Sequence, residues 1–542
     1  MKKEWIKQYA PMVIKYGISL VLMLLVWNAM HVKKYLLGSV LELLVIALLS
    51  NMLLVKPLLG NVINGLLLLF FNIQQAVLLF GTTYVSTVML SNLASIEDLQ
   101  GKAGIYIGAS LLVLVITFLP VKRVEINKAW EGRILSLVLA AFLFLTFALT
   151  GAGYTPYSAY LELIRDEREM RKEASVSTEE AKPMFYKEGI YDGVSKPAAL
   201  SEKPNIILIF TEGVSQNIPE DPRQIMPNLL ALEEKSLYFN NYFNHTFATY
   251  RGLIGQLYSG YQHLDMEDNG LISLQQILKE QGYATAFINT EPNNADFTDY
   301  LSWMDFDRLL GKKEDIQNGQ VDYLSDKEAY ELLYETCLEQ EKEQKPFFTA
   351  IYTFGTHATL DSVDEKFGDG SDSELNKFYD VDYQLGVFLE KFENSPLADD
   401  TLLVFTGDHC TYQDYYFDKA FPDYVRKASI VDEMPLLFYY KGMKPEKVNV
   451  FGRNSLDMAP TLLDYLDITA PNYFLGTSLF DPEPNAFDTL ENEENYYVMT
   501  KYGIIEHDIP DEEKEWFSTQ LQYYRKAKQG EHIGTADAGE AD

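Results

Sequence analysis

The chain has 542 residues and carries 45 Lys and Arg against 78 Asp and Glu, a formal net charge of −33. That balance excludes a phosphate-backbone partner, so no nucleic acid is expected. Two cysteines, Cys337 and Cys410, are too few for a disulfide framework and leave their pairing and the redox compartment open.

Apolar and charged residues are unevenly placed. Residues 1–152 hold only six acidic side chains (Glu4, Glu42, Glu97, Asp98, Glu125 and Glu131) with twelve basic ones, which leaves 33 basic against 72 acidic, a net of −39, for the rest. Five apolar runs in this first part, 12–30, 35–55, 57–80, 103–119 and 134–151, can each be drawn as a helix near the ~20 residues that cross a bilayer. One cleavable signal peptide would not explain five of them. With the N-terminus inside, Lys2, Lys3, Lys7, Lys56, Lys122, Arg123, Lys128 and Arg133 fall on the cytoplasmic side, against Lys33, Lys34 and Lys102 outside. This bias places the domain after Gly151 outside the membrane, provided the number of spans is odd. A re-entrant turn at Lys56-Pro57 would reverse that result.

Residues 160–172 read as a charged connector helix in which Leu161, Ile164 and Met170 form a narrow apolar stripe. The stretch 173–201 is polar and irregular, which puts a domain boundary near Lys203. Beyond it, short β-rich runs at 205–210, 284–289, 346–352, 401–405 and 435–440 alternate with amphipathic stretches at 272–281, 326–341, 381–392 and 456–466. This alternation predicts an α/β domain with a mostly parallel central sheet and helices on both faces. The expected organisation is a five-span membrane domain (1–152), a connector and linker (153–203), the α/β domain (204–485) and an acidic C-terminal extension (486–542).

In such a sheet, functional groups belong in the loops leaving the carboxyl ends of strands. The first strand runs into Thr211-Glu212-Gly213, the third into Phe354-Gly355-Thr356-His357 and the fourth into Thr406-Gly407-Asp408-His409. Glu212, Asp408 and His409 together offer two carboxylates and an imidazole, a set suited to a divalent cation. Each alone has a plainer reading, as a helix cap or a solvated loop residue, and Cys410 reads as a neighbour of the set. A nucleophile is offered by Thr249 in the segment 244–252, just before a helical run at 253–258. At a helix start its hydroxyl would lie beside backbone N–H groups suited to phosphate oxygens, although an N-cap threonine looks the same in sequence. Arg251 adds a charged donor for the same phosphate, or is simply a surface residue.

These residues together resemble the lipoteichoic acid synthase group within the alkaline phosphatase and sulfatase superfamily, over the membrane part and residues 205–480. The resemblance implies an extracellular sulfatase-like catalytic domain in which Glu212, Thr249, Asp408 and His409 bind one divalent metal, Mn2+ first, with Mg2+ or Zn2+ as alternatives. It makes Thr249 the nucleophile and His357 a substrate contact; from sequence alone, His357 would be a loop or core histidine. The segment 455–463 also resembles the superfamily's late helix. Sulfatases proper draw their nucleophile from a Cys or Ser that position 249 lacks. The implied function is a phosphoglycerol or phosphoalcohol transferase of the bacterial cell membrane. Its partners would be a membrane lipid donor such as phosphatidylglycerol and a cell-surface glycan or glycolipid acceptor. One departure bears on the substrate: the family's His and Trp-x-Arg element after the second strand is replaced here by Asn289-Thr290-Glu291-Pro292-Asn293-Asn294, with Trp303 and no Arg two positions on. A phosphoethanolamine transferase or phosphodiesterase on the same site, and an inactive membrane-tethered binding protein, are the competing expectations.

Overall fold

A computed structural model describes residues 2–30, 33–81, 84–85, 111, 113–125, 127–144, 155–170, 176–261, 269–358, 360–426, 431–483, 489–492, 495–500, 503–506 and 511–529. The chain forms two compact units. The first contains α1 (Lys2–Met30), α2 (Lys33–Leu53), α3 (Pro57–Gly81), α4 (Lys128–Leu143) and α5 (Pro156–Met170).

Among the described residues, three helices rather than five are long and apolar enough to cross a membrane: Tyr9–Asn28, Tyr35–Leu53 and Pro57–Leu79. The expected spans at 103–119 and 134–151 lie partly outside the described residues, and α4, the helix that carries the fifth run, has 16 residues. At Lys56-Pro57 the chain turns between two helices that are each of membrane length. Proline opens α3 because its missing N–H is one that a first helical turn leaves unused anyway. The connector helix begins at Pro156, four residues before the expected start. Its opening turn is capped from α2: Glu42 Oε1 accepts the Thr155 hydroxyl at 2.5 Å and the Tyr157 N–H at 3.1 Å.

The second unit is built on an eight-stranded sheet whose strands in chain order are β1 (Asn205–Thr211), β2 (Leu237–Asn240), β3 (Ala284–Ile288), β4 (Arg308–Leu310), β5 (Phe347–Thr353), β6 (Thr401–Gly407), β7 (Leu436–Tyr439) and β8 (Glu446–Asn449). Their spatial order is β4-β3-β5-β1-β6-β7-β2-β8, and β7 alone runs against the rest. All five expected strands are present; β2, β4 and β8 are additions of three or four residues at or near the edges. The central strand β1, Asn-Ile-Ile-Leu-Ile-Phe-Thr, is buried along its whole length. Ile206, Leu208 and Phe210 enter the core on one face of the sheet, and Ile207 and Ile209 the core on the other. A near-continuous apolar run is what a strand covered on both faces requires.

The covering helices include α6 (Pro227–Glu233), α7 (Thr249–Tyr258), α8 (Leu274–Glu280), α9 (Ala295–Ser302), α10 (Asp326–Glu341), α11 (Ser373–Glu393) and α12 (Met458–Tyr465). Ser273 and Ser325 open α8 and α10 with capping boxes that satisfy first-turn N–H groups. Residues 187–196 of the polar linker lie on this unit: Gly193 N–H donates to Asp464 Oδ1 at 3.0 Å and Lys196 N–H to Asp467 Oδ1 at 3.0 Å. The acidic extension, from which sequence drew no structural element, contains a three-stranded antiparallel sheet and α13 (Asp511–Lys528). Leu521, Tyr524 and Ala527 of α13 are buried in a small core with Phe185, Tyr261 and Leu456. The terminal stretch 530–542 lies outside the described residues.

Candidate metal centre

Register brings the site together. Thr211 at the end of β1 pairs with Thr353 of β5 on one side and with Gly407 of β6 on the other. Three parallel strands therefore end level, and the next residues, Glu212, Phe354 and Asp408, leave the sheet side by side. A one-residue slip in either pairing would turn one of these side chains to the opposite face.

Glu212, Asp408 and His409 are buried, and each offers a ligand atom within 4.8 Å of the others. His409 Nε2 lies 3.3 Å from Glu212 Oε1 and 3.5 Å from Asp408 Oδ2. The His409 ring is held from behind, with Nδ1 at 2.6 Å from the Cys410 carbonyl; an Nδ1–H donated there leaves Nε2 toward the carboxylates. Asp408 Oδ1 accepts the N–H groups of Gly213 at 2.8 Å and His409 at 2.7 Å. Its other oxygen, Oδ2, is buried and accepts no hydrogen bond. A buried carboxylate oxygen without a donor is expensive unless a cation faces it.

The electrostatics agree. Burial works against ionisation of Glu212, yet the His409 charge and hydrogen bond outweigh it and hold its carboxyl well below the usual range. Burial, then the Glu212 charge, pushes the Asp408 carboxyl well above the usual range. Against its own burial, His409 is raised to about 9 by Asp408 and Glu212. Two carboxylates at such close quarters call for positive charge, and a divalent cation on their free lone pairs supplies it better than one proton. The three residues thus fit a divalent metal.

Thr249 joins them. Its Oγ1 donates to Glu212 Oε2 at 2.8 Å, and the same oxygen accepts the Tyr352 hydroxyl at 2.6 Å. Thr249 is the first residue of α7; the N-cap is Ala248, which has no side-chain cap to offer. Ala248 stands at φ +105°, a conformation that L residues rarely adopt, so the chain is strained where it delivers Thr249. Thr246 stays in the loop before the helix, and its carbonyl accepts from Asn244 Nδ2 at 2.8 Å.

Other expected residues are placed differently. Arg251 is only 1% exposed, and its Nε donates to the Tyr250 hydroxyl at 2.8 Å. Arg251 is therefore not a surface residue, and its expected contact with phosphate stays a proposal. His357 lies in the turn after β5, half-buried, its ring against Phe354 at 5.0 Å, and its Nδ1 has no protein partner. Cys337 and Cys410 are buried thiols with no disulfide between them, and Cys410 contributes its carbonyl to the site. Tyr352 was missed in sequence, because a tyrosine late in a buried strand looks like core and only the fold brings its hydroxyl to Glu212.

The α/β domain that carries this centre is of sulfatase type. The sulfatase family matches residues 204–468. A curated relative, "Lipoteichoic acid synthase-like YvgJ" of Bacillus subtilis (strain 168), is 22% identical over 345 residues, covering 56% of this chain and 54% of that protein. This chain thus spans about half the length of that relative. A crystal structure of a protein in the alkaline phosphatase superfamily from Vibrio parahaemolyticus superposes with a TM-score of 0.51 at 19% identity, over 67% of this chain and 95% of that one. The lipoteichoic acid synthase LtaP from Listeria monocytogenes gives 0.49 at 19% identity, over 65% and 97%. Residues 204–468 thus carry a sulfatase family domain, and the chain is similar to a lipoteichoic acid synthase-like protein.

Proposed function

We propose that this protein is a membrane-anchored, metal-dependent phosphoalcohol transferase with Thr249 as its nucleophile. The observation that carries the reading is the Thr249 hydroxyl at 2.8 Å from Glu212, at the uncapped start of α7 and beside Asp408 and His409. Glu212, Asp408, His409 and Thr249 would hold a divalent ion, which lowers the pKa of a hydroxyl and offsets phosphate charge. Thr249 Oγ attacks phosphorus of a phospholipid such as phosphatidylglycerol while the bond to the diacylglycerol oxygen breaks. The headgroup phosphate then sits on Thr249 until an acceptor hydroxyl of a cell-surface glycan or glycolipid attacks the same phosphorus and releases the threonine. His357, whose Nδ1 has no protein partner, is available to the phosphate or to the leaving oxygen. The apolar helices would keep the site at its lipid donor, and the Lys and Arg bias supports an α/β domain outside the cell.

The test is incubation with labelled donor lipid, first without acceptor. A headgroup-phosphate adduct on the peptide 245–251, localised to Thr249 and absent in Thr249→Ala, is the expected result. An adduct on Thr246 overturns the nucleophile, and release of free headgroup phosphate at the same rate with and without acceptor makes the enzyme a phosphodiesterase.

A further inference from the structure

The membrane-type unit conceals a polar cluster unconnected with the centre above. Tyr35, Ser39 and Glu42 follow at i, i+4 and i+7, so they share one face of α2. From α3, Gln75 Oε1 accepts the Tyr35 hydroxyl, and the neighbouring Gln74 Oε1 accepts the Val85 N–H at 2.8 Å. Tyr84, next to Val85, packs with Tyr35 and Leu78. Ser39, Gln74 and Gln75 are fully buried and Glu42 is 3% exposed, inside helices otherwise apolar enough to cross a membrane.

Hydrogen bonding in this cluster is one-sided. The amide oxygens of Gln74 and Gln75 and both oxygens of Glu42 are engaged. Gln74 Nε2, Gln75 Nε2 and the Tyr84 hydroxyl are buried donors with no protein acceptor. Polar groups within apolar spans are held only where something answers them, and an ionisable one marks a functional site by default. Tyr35, Ser39, Glu42, Gln74, Gln75 and Tyr84 include one acid and no base, so a phosphate would meet Glu42 without a counter-charge. A neutral hydroxylated group suits better, because its oxygens accept from the amides and its hydroxyls donate to spare lone pairs of Glu42.

We infer that this cluster, around Tyr35, Glu42, Gln75 and Tyr84, is a binding site for the uncharged, hydroxyl-bearing headgroup of a membrane lipid. The inference rests on the membrane reading above and goes beyond it, assigning the helices a ligand as well as an anchoring role. A glycosyl-diacylglycerol, the acceptor type, and diacylglycerol, the leaving group of the proposed reaction, share this chemistry.

The full chain in phosphatidylcholine nanodiscs is titrated with dihexosyl-diacylglycerol, diacylglycerol or phosphatidylglycerol, with native mass spectrometry and thermal unfolding as readouts. One of the two neutral lipids should bind at least about tenfold more tightly than phosphatidylglycerol, and which one it is separates acceptor from product. Tyr84→Phe and Gln75→Met should each lose that preference; Tyr84→Phe, which removes a hydroxyl with no protein partner, should be no less stable than the parent without added lipid. Equal binding of all three lipids, no binding, an unchanged preference in both variants, or destabilisation of lipid-free Tyr84→Phe overturns the inference. The Thr249 adduct is measured in the same preparation: adduct without lipid preference sinks this site alone, whereas absence of adduct sinks the nucleophile.

Discussion

Gly252 in α7 lies against the main chain of Asp408: a Cβ built on it would stand 2.2 Å from the Asp408 carbonyl oxygen. This contact sets how near the helix that starts at Thr249 comes to the loop that carries Asp408 and His409. Gln256, one turn on, strengthens it by donating from Nε2 to the Gly407 carbonyl at 2.9 Å. Gly252→Ala must push helix and loop apart, for the obstructing atom is backbone and cannot rotate away. We expect a loss of about 1–3 kcal/mol in stability and a drop in turnover of roughly a hundredfold, as sub-ångström misplacement of a nucleophile commonly gives. Thermal unfolding and adduct formation on Thr249 measure the two effects, and a variant with parental values for both would show that the contact does not set the site.

Metal occupancy should separate the site residues into two groups. Glu212→Ala, Asp408→Ala and His409→Ala each remove one of three converging ligand atoms, and should lower bound divalent metal and turnover together. His357→Ala should keep the metal and lose rate, since the role proposed for His357 is toward substrate. Elemental analysis after dialysis gives the occupancies; a ligand variant that stays fully loaded would leave the proposed set.

Tyr352 is a positioning residue for Glu212, because its hydroxyl donates to Oε2 from a wholly buried place. Removing such an outer partner commonly lowers metal affinity by about 10–100-fold. Tyr352→Phe should therefore bind metal at least ~10-fold more weakly by calorimetric titration while its secondary structure stays parental. Unchanged affinity would mean that the strand alone fixes Glu212.

Asp382 gives a pH test remote from the metal centre. It caps α6 from α11, with Oδ2 accepting the Asn228 N–H at 2.9 Å and Oδ1 the Leu229 N–H at 2.8 Å. Burial nevertheless raises its carboxyl from 3.8 to about 6, against those hydrogen bonds. A raised carboxyl favours the protonated native state, so its contribution is complete below pH 3.8 and is lost as pH rises through about 6. The span is about 2 units, at most roughly 3 kcal/mol. Asp382→Asn cannot titrate, so its melting temperature relative to the parent should climb between pH 4 and pH 6.5. A constant difference over that range would remove Asp382 as a source of pH dependence.

Orientation is tested by reporters fused after Gly153, where activity of a reporter that works only outside the cytoplasm is expected; activity only of a cytoplasmic one rejects the topology.

Local chemistry made much of this protein legible before folding. The five β-rich runs became strands because buried parallel strands need near-continuous apolar residues, and the amphipathic stretch 326–341 became α10 with the same limits. Thr211-Glu212-Gly213 and Thr406-Gly407-Asp408-His409 stood out because each acid follows directly on such a strand. The short strands β2, β4 and β8 were not legible, since three or four residues acquire their conformation from the strand they pair with. The C-terminal helix α13 was hidden by its charge, because its apolar stripe shows only against Phe185 and Tyr261.

By itself the sequence determined which residues could bind a metal, that they follow strands, and that apolar helices precede them. Tertiary structure alone decided which of them meet. The level pairing of β1 with β5 and β6 sets Glu212 beside Asp408, and Gly252 lets α7 approach until Thr249 reaches Glu212. Tyr352 gains its partner from a neighbouring strand. These are matters of register and distance between segments remote in sequence, which no local pattern of side chains encodes.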